Sequence, residues 1–184
     1  MRKSTRNTVM HSYPGMVAIV TVSNDGQDNI MAAGWHSYIS YQPPIYGVAI
    51  GRERFTHGLM SAAGSFAINF LPYEQATIIQ ESGVLTGETT DKFTKRNIKF
   101  DRGLTTDAPI LQDAYIAYEC KTIDVNRYGD HDWFVGEITY FYKDESLFLK
   151  NGLPDLNKLE IPLYLGRSSY AKLDINTEIK TIKT

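Results

Sequence analysis

The residues best suited to bind an anion lie where a predicted strand gives way to a predicted helix. Arg52 and Arg54 stand just before Thr56, the expected N-cap of a helix over residues 56–63. Free backbone N–H groups at a helix start, a hydroxyl group and guanidinium groups all favour a phosphate. The competing interpretation is that both arginines are ordinary solvated surface residues, because long charged side chains are mostly exposed.

A second group of residues with possible chemistry is Asp130-His131-Asp132. Neighbours on a strand point to opposite faces and do not converge easily on one ion, so we predict no metal site. His131 is either an ordinary histidine at a loop end or a donor to a polar or anionic ligand. Because imidazole groups titrate near neutral pH, His131 is the tentative choice for proton handling.

The motifs of several other chemistries are missing from the sequence. It contains no Rossmann or P-loop glycine pattern, no HExxH, no GxSxG and no EF-hand loop. Cys120, the one cysteine, lies among alternating apolar residues and is predicted to be a buried spacer rather than a nucleophile. A single cysteine forms no internal disulfide, which favours a reducing compartment, so we expect a cytoplasmic protein.

The composition favours one globular domain over residues 1–184. Hydrophobic residues make up 42% of the chain and charged residues 22%. The 19 basic and 21 acidic side chains give a net charge of −2 without a long run of either sign, so we expect no nucleic-acid partner. The uncharged stretch from Asn29 to Gly51 is too polar and too interrupted by proline to span a bilayer, and no membrane segment is predicted.

The elements that must position these residues are mostly short strands. Six strands are predicted, at residues 16–22, 29–35, 46–50, 65–70, 114–124 and 132–143. Three helices are predicted, at residues 56–63, 73–82 and 91–96. Residues 126–130 have the composition of a hairpin loop, and Ala32-Ala33-Gly34 would let another group approach the backbone closely. This pattern favours a mainly β protein, a barrel that carries a few short helices.

Several segments, in their order and spacing, resemble the flavin reductase-like, FMN-binding split-barrel family and its flavoredoxin-type members. They extend from residue 14 to about residue 170, and no single one of them is specific. The matching segments are Pro14-Gly15-Met16-Val17-Ala18-Ile19-Val20-Thr21, Asn29 with Ala33-Gly34-Trp35, Ser40-Tyr41-Gln42-Pro43-Pro44, Gly47 to Gly51, Thr56, Asp91-Lys92-Phe93, Gly129-Asp130-His131 with Gly136-Glu137, and Leu163-Tyr164-Leu165-Gly166.

The resemblance implies a six-stranded Greek-key split barrel, a homodimer, and FMN held non-covalently in a groove near the dimer interface. Carried over residue by residue, the flavin contacts fall on Asn29, Trp35, Thr56, Lys92, His131 and Tyr164. Thr56 and Lys92 suit the phosphate and ribityl end, while Trp35 and Tyr164 offer flat apolar faces. Asn29 and His131 supply polar contacts. Tyr164 departs from the phenylalanine usual in flavoredoxin-type proteins.

Each of these residues also has a structural interpretation. Trp35 and Tyr164 could belong to the core, Asn29 could be a turn residue, and Lys92 could be a solvated charge on a helix. A resemblance in fold alone would not decide between the two sets of roles.

The function implied by the resemblance is that of a flavin reductase, in which electrons pass from NADH or NADPH through FMN to an acceptor. Three alternatives stay open. The chain could be a flavoredoxin-like electron carrier that a partner protein reduces, an oxidase of the pyridoxamine-phosphate type, or a non-enzymatic flavin-binding dimer. The sequence does not choose between NADH and NADPH.

Overall fold

A computed structural model describes residues 2–6 and 14–182 of the chain. Within these residues there are eleven strands, two 3₁₀ turns at Tyr73–Gln75 and Glu145–Leu147, and three α-helices. The strands are β1 (Ala18–Asn24), β2 (Gln27–Ala33), β3 (His36–Tyr41), β4 (Pro44–Gly51), β5 (Ser65–Phe70), β6 (Phe100–Arg102), β7 (Pro109–Leu111), β8 (Ile116–Tyr128), β9 (His131–Lys143), β10 (Ile161–Gly166) and β11 (Ser169–Leu173). The helices are α1 (Phe55–Ala63), α2 (Ala76–Val84) and α3 (Lys92–Arg96).

Seven of the strands form one antiparallel sheet in the order β2-β1-β5-β8-β9-β4-β3. The pairs β6-β7 and β10-β11 form two small separate sheets. The predicted mainly β class with a few short helices is confirmed, but the count of six strands is wrong. Five further strands are present: β3 in the main sheet and the four strands of the two small sheets. The sequence of β3 carries no clear alternating pattern, and the strand is defined by its pairing with β4. Among the described residues no ladder joins β2 to β3, so the sheet stays open there.

The core is divided between the two faces of β1. Val20 and Val22 belong to the main apolar cluster together with Phe66 and Phe134, whereas Ile19 belongs to a second cluster under α2 and α3. All five side chains are fully buried. Both faces of β1 are therefore covered, and its paired strand β2 contacts α2 and α3.

The helices confirm the predicted elements but not all of their ends. Helix α1 ends at Gly64, which has φ 64°, but its N-cap residue is Arg54, so the prediction that Thr56 is the N-cap is wrong. The predicted helix over 73–82 is a 3₁₀ turn followed by α2, which continues past Gly83. Asp91 caps α3 by accepting a hydrogen bond from the Thr94 N–H at 3.0 Å. No helix in the described ranges has the length and hydrophobicity that a bilayer crossing requires.

The β8–β9 hairpin is longer than the sequence predicts. Its strands run to Tyr128 and restart at His131, so the predicted five-residue loop over 126–130 is wrong. Gly129 takes φ 65° and permits the two-residue turn, and the ladder then closes at the pair Tyr128 and His131. His131 is therefore a strand residue with a fixed orientation.

Candidate functional site

Two adjoining cavities form one groove beside the start of α1. The wide end has a volume of about 250 Å³ and the narrow end about 110 Å³. Met31, Arg54 and Gly83 line both cavities, so the two are continuous. A ligand with a broad part and a small terminal group would fit this shape.

The wide end brings together three of the predicted contact residues, Trp35, His131 and Tyr164. Trp35 is 43% exposed, which contradicts its interpretation as a core residue. Its ring lies 4.8 Å from the ring of His131, with an interplanar angle of 54°. The Nδ1 atom of His131 is 2.7 Å from Asp130 Oδ1, which orients the imidazole.

Tyr164 reaches the wide end from the small β10–β11 sheet. Its ring packs at 5.1 Å from the ring of Tyr170, and its backbone pairs with Gly15. The hydroxyl group that distinguishes it from phenylalanine accepts a hydrogen bond from the Ser168 N–H at 3.4 Å. Ala32, Ala33 and Gly34, the small residues at the end of β2, also line this cavity. This is where the sequence predicts that another group can approach the backbone closely.

Thr56 and Lys92 line the narrow end. Thr56 is the second residue of α1 and is 2% exposed. Its Oγ1 accepts a hydrogen bond from Asn29 Nδ2 at 2.8 Å. Since a lone pair of the oxygen is used in this way, the Thr56 O–H can donate to a group in the cavity.

Lys92 places a buried positive charge at the narrow end. The residue is 5% exposed, and its Nζ donates to the carbonyl oxygens of Ser82 at 3.2 Å and Leu85 at 3.1 Å. Burial, and after it the charge of Arg54, lowers the pKa of Lys92 to about 8. No carboxylate among the described residues forms an ion pair with it. The interpretation of Lys92 as a solvated charge is therefore wrong, and an anion in the cavity would stabilise it.

Only one of the two arginines before α1 belongs to the groove. Arg54 lines both ends of it, next to Glu53, whose Oε1 lies 3.1 Å from Arg54 Nε. Arg52 turns toward the β8–β9 hairpin and donates from Nη2 to the Gly129 carbonyl at 3.0 Å. Both arginines were equal candidates in the sequence, because the turn between β4 and α1 determines the direction of each side chain.

Asn29 supports the narrow end from behind rather than lining it. It lies inside β2 and is 3% exposed, so its interpretation as a turn residue is wrong. A Cβ atom at Gly87 would overlap Asn29 Oδ1, which means that the Gly87 backbone packs directly against the amide. Asn29 therefore holds both the Thr56 hydroxyl and the segment that follows α2.

Several groove residues escaped the sequence analysis. They line the cavity but have no chemically distinctive side chain, namely Met31, Gly83, Thr86 and Gly87. Gly83 lies within α2, and its position at the groove depends on tertiary packing. No pattern in the sequence distinguishes these residues from ordinary loop and helix residues.

Asp132 and His131 diverge at the start of β9, as the alternation of a strand requires. His131 faces the groove, whereas Asp132 Oδ2 lies 2.8 Å from His57 Nε2 on α1. Asp132 Oδ1 is buried and makes no hydrogen bond with any described residue. Across the described residues, no three His, Cys, Asp or Glu side chains converge in a way that could hold a metal ion.

Comparisons with known proteins agree with this geometry. A family model described as flavin reductase like domain matches residues 10–174. The structure of an FMN-binding protein from Thermus thermophilus, solved with 1-cyclohex-2-enone, is 33% identical and has a TM-score of 0.86 over 98% of this chain and 100% of that one. Flavoredoxin of Desulfovibrio vulgaris (Miyazaki F) is 27% identical, with a TM-score of 0.85 over 98% of this chain and 97% of that one.

A relative with a named activity is the NADH:riboflavin 5'-phosphate oxidoreductase of Streptomyces pristinaespiralis. It is 31% identical over 121 residues, which cover 65% of this chain and 66% of that protein. The flavoredoxin resemblance noted from the sequence is confirmed by the structural similarity. Since the family model covers most of its length, the chain belongs to the flavin reductase-like family of flavin-binding proteins.

Proposed function

We propose that this chain is an FMN-binding flavoprotein of the flavin reductase type, which transfers electrons from NADH or NADPH through non-covalently bound FMN to an acceptor. The observation that carries the proposal is the buried ammonium group of Lys92, which has neutral carbonyl partners and no carboxylate partner among the described residues. A phosphate at the narrow end would supply the missing negative charge. The aromatic faces at the wide end suit a flat ring system.

The narrow end has the donors that a phosphate monoester needs. Lys92 and Arg54 provide positive charge, and Thr56 provides a hydroxyl group. The first turn of α1 adds backbone N–H groups that have no partner within the helix. Asn29 fixes the Thr56 hydroxyl, so its proposed role is to position a contact rather than to make one.

The wide end orients the ring and shields it from water. Trp35 and Tyr164 provide apolar faces, and His131 provides a polar contact and serves as the proton carrier. If His131 Nδ1–H donates to Asp130, Nε2 is the atom that holds or releases a proton in the groove. The chemistry supplied by bound FMN is hydride acceptance from reduced nicotinamide and onward electron transfer. No side chain is needed as a nucleophile.

The proposal extends to the assembly. We assign the seven-stranded sheet to the family's Greek-key split barrel, with residues 1–184 acting as one domain and two chains forming a homodimer. Exposed aromatic residues on β3 and β9 support a second copy, because Tyr38, Tyr41 and Phe141 are 40%, 90% and 51% exposed. Light scattering of the purified protein tests this part, and a monomeric mass at micromolar concentration would contradict it.

Titration of the purified protein with FMN tests the central claim. We expect saturable quenching of flavin fluorescence at one site per chain. Anaerobic addition of NADH or NADPH should then bleach the visible absorbance of the bound flavin. A protein that binds no added FMN would contradict the proposal.

The second candidate function is a flavoredoxin-like electron carrier, which the similarity to the Desulfovibrio flavoredoxin over 98% of this chain favours. Flavin that stays oxidised with both nicotinamides but is reduced by a reduced partner protein would select this candidate. Reduction by pyridoxamine phosphate would select the oxidase alternative, and bound flavin that no donor reduces would select the non-enzymatic dimer.

A further inference from the structure

Asp132 and His57 form a partly buried pair that makes none of the proposed FMN contacts. Their closest atoms, Asp132 Oδ2 and His57 Nε2, are 2.8 Å apart, and their side chains are 16% and 18% exposed. The His57 ring also meets the buried ring of Phe134 edge-on at 5.3 Å. Two groups held this closely, with one of them packed against the core, have a fixed relative position.

The pair connects the two ends of the groove. His57 follows Thr56 in α1, and Asp132 follows His131 in β9. Each partner is therefore one peptide bond away from a residue that lines the groove. The hydrogen bond between them is a direct side-chain link between the narrow-end helix and the strand at the wide end.

The two oxygens of the Asp132 carboxylate have unequal sets of partners. Its Oδ1 is buried and has no hydrogen-bond partner among the described residues. Arg52 Nε is 4.0 Å from that oxygen, and the Nη2 of the same guanidinium donates to the Gly129 carbonyl. A partly compensated negative charge near a redox group opposes the addition of electrons to it.

We infer that Asp132 and His57 are a positioning pair for the flavin, which fixes the spacing between Thr56 and His131 while the Asp132 carboxylate lowers the reduction potential of bound FMN. This inference rests on the proposed function. It concerns residues that act through their neighbours, so its test needs measurements that a purely structural role would leave unchanged.

The test compares four variants with the wild-type protein. Asp132→Asn removes the charge at nearly constant shape. His57→Gln keeps an N–H donor, whereas His57→Ala removes it. Asp155→Asn is the matched control, because Asp155 has a side chain that is 12% exposed, is hydrogen-bonded to Asn157, and does not line either cavity. For each protein the FMN dissociation constant, the midpoint potential of the bound FMN and the urea unfolding of the apo form are measured.

We expect Asp132→Asn to raise the midpoint potential, and His57→Ala to weaken FMN binding by roughly tenfold, the factor that corresponds to the loss of one hydrogen bond to a charged group. His57→Gln should restore affinity to within about threefold of wild type, because the donor is kept. Asp155→Asn should change apo stability alone.

An Asp132→Asn protein with the wild-type potential would overturn the electrostatic part of the inference. Equal affinities for His57→Gln and His57→Ala would overturn the positioning part, and that comparison still decides if Asp132→Asn does not fold. A wild-type protein that binds no FMN refutes the proposed function itself. Wild-type binding with variants that behave like Asp155→Asn refutes only this inference.

Discussion

Glu119 and Lys92 are both buried charges, but the chain supplies a full set of partners to only one of them. The Glu119 carboxylate in β8 is fully buried and accepts six hydrogen bonds of 2.6 to 2.9 Å. The donors are the backbone N–H groups of Leu104, Thr105 and Thr106 and the hydroxyl groups of Thr105, Thr106 and Tyr142. The Lys92 ammonium has two neutral carbonyl partners.

The difference distinguishes a charge that stabilises the folded protein from a charge that a bound anion would neutralise. Burial alone would raise the pKa of Glu119, but the hydrogen bonds led by Tyr142 outweigh it and lower the pKa to about 2. The pKa of Lys92 is lowered to about 8, mainly by burial. The native structure thus favours the charged form of Glu119 and disfavours the charged form of Lys92. A bound anionic ligand would stabilise the charged form of Lys92.

The largest effect is expected from Glu119→Gln. The variant lacks the negative charge that accepts hydrogen bonds from five N–H and O–H donors besides Tyr142. The pKa difference between about 2 and 4.5 corresponds to about 3 kcal/mol of stability at neutral pH. Urea unfolding should show a loss of this size, while the FMN dissociation constant of the folded variant stays at the wild-type value.

The pH dependence of the same variant provides a check. In the wild-type protein the Glu119 contribution is present above about pH 4.5 and is lost as the pH falls toward about 2, because the pKa of the folded state is the lower one. Glu119→Gln should lack this component. A variant as stable as the exposed control Asp101→Asn would show that the Glu119 hydrogen bonds contribute little.

Lys92→Met should weaken FMN binding without lowering the stability of the apo protein. It removes a buried cation that has no ionic partner within residues 2–6 and 14–182, so the apo protein should be as stable as wild type or more stable. Loss of charge-assisted hydrogen bonds to a phosphate should weaken FMN binding by roughly 100-fold. Isothermal titration and urea unfolding of the same preparation measure both quantities.

The control for this variant is Lys95→Met, which alters an exposed lysine on the same helix. It should bind FMN as wild type does. If Lys92→Met instead destabilised the apo protein and kept its FMN affinity, Lys92 would be a structural residue like Glu119.

A third expectation concerns alkaline pH. Since the pKa of Lys92 is about 8 in the folded protein and 10.5 ordinarily, the unfolded chain binds more protons between these values. The free energy of unfolding of the apo form should therefore contain a component that rises with pH in this window, while FMN affinity falls by up to roughly tenfold per pH unit. Both slopes should vanish in Lys92→Met. An FMN affinity that is constant from pH 7 to about 9 would contradict a phosphate contact by Lys92.

The smallest effect is expected from Thr56→Val, which should weaken FMN binding by roughly fivefold and lower apo stability by about 1 kcal/mol, because Asn29 loses its acceptor. Thr122→Val is the matched control, since the Thr122 hydroxyl is buried and has no hydrogen-bond partner among the described residues. That replacement should be neutral or stabilising and should not affect FMN. If Thr56→Val and Thr122→Val had the same FMN affinity and the same apo stability, Thr56 would not be a contact of FMN.

The sequence predicted the elements of this fold better than their ends. Strand β1 and helix α1 were predicted to within two residues of their observed bounds. Strand β3 and the full length of the β8–β9 hairpin were not, because their pairing partners, rather than their own residues, define them. The number of strands in the main sheet was accordingly underestimated.

The residues of the candidate site also differ in how well the sequence predicts them. Side chains with strong chemistry, such as Lys92 and Thr56, were identified from a family pattern, and the structure places them in one cavity. The different directions of Arg52 and Arg54 depend on a turn that local sequence does not specify. Glu119, the best-satisfied buried charge described above, was missed because its six donors come from a loop and a strand that are distant in sequence.

The hydrogen bonds of Lys92 to Ser82 and Leu85 also bear on how quickly a ligand is captured. Both carbonyl groups lie at the carboxyl end of α2, where the helix carries partial negative charge, so the ammonium group is already held in place before a ligand arrives. The Lys92 side chain therefore does not have to be recruited from solvent. Stopped-flow mixing should therefore show one bimolecular phase, with an observed rate that rises linearly with FMN concentration instead of levelling off at the rate of a conformational step.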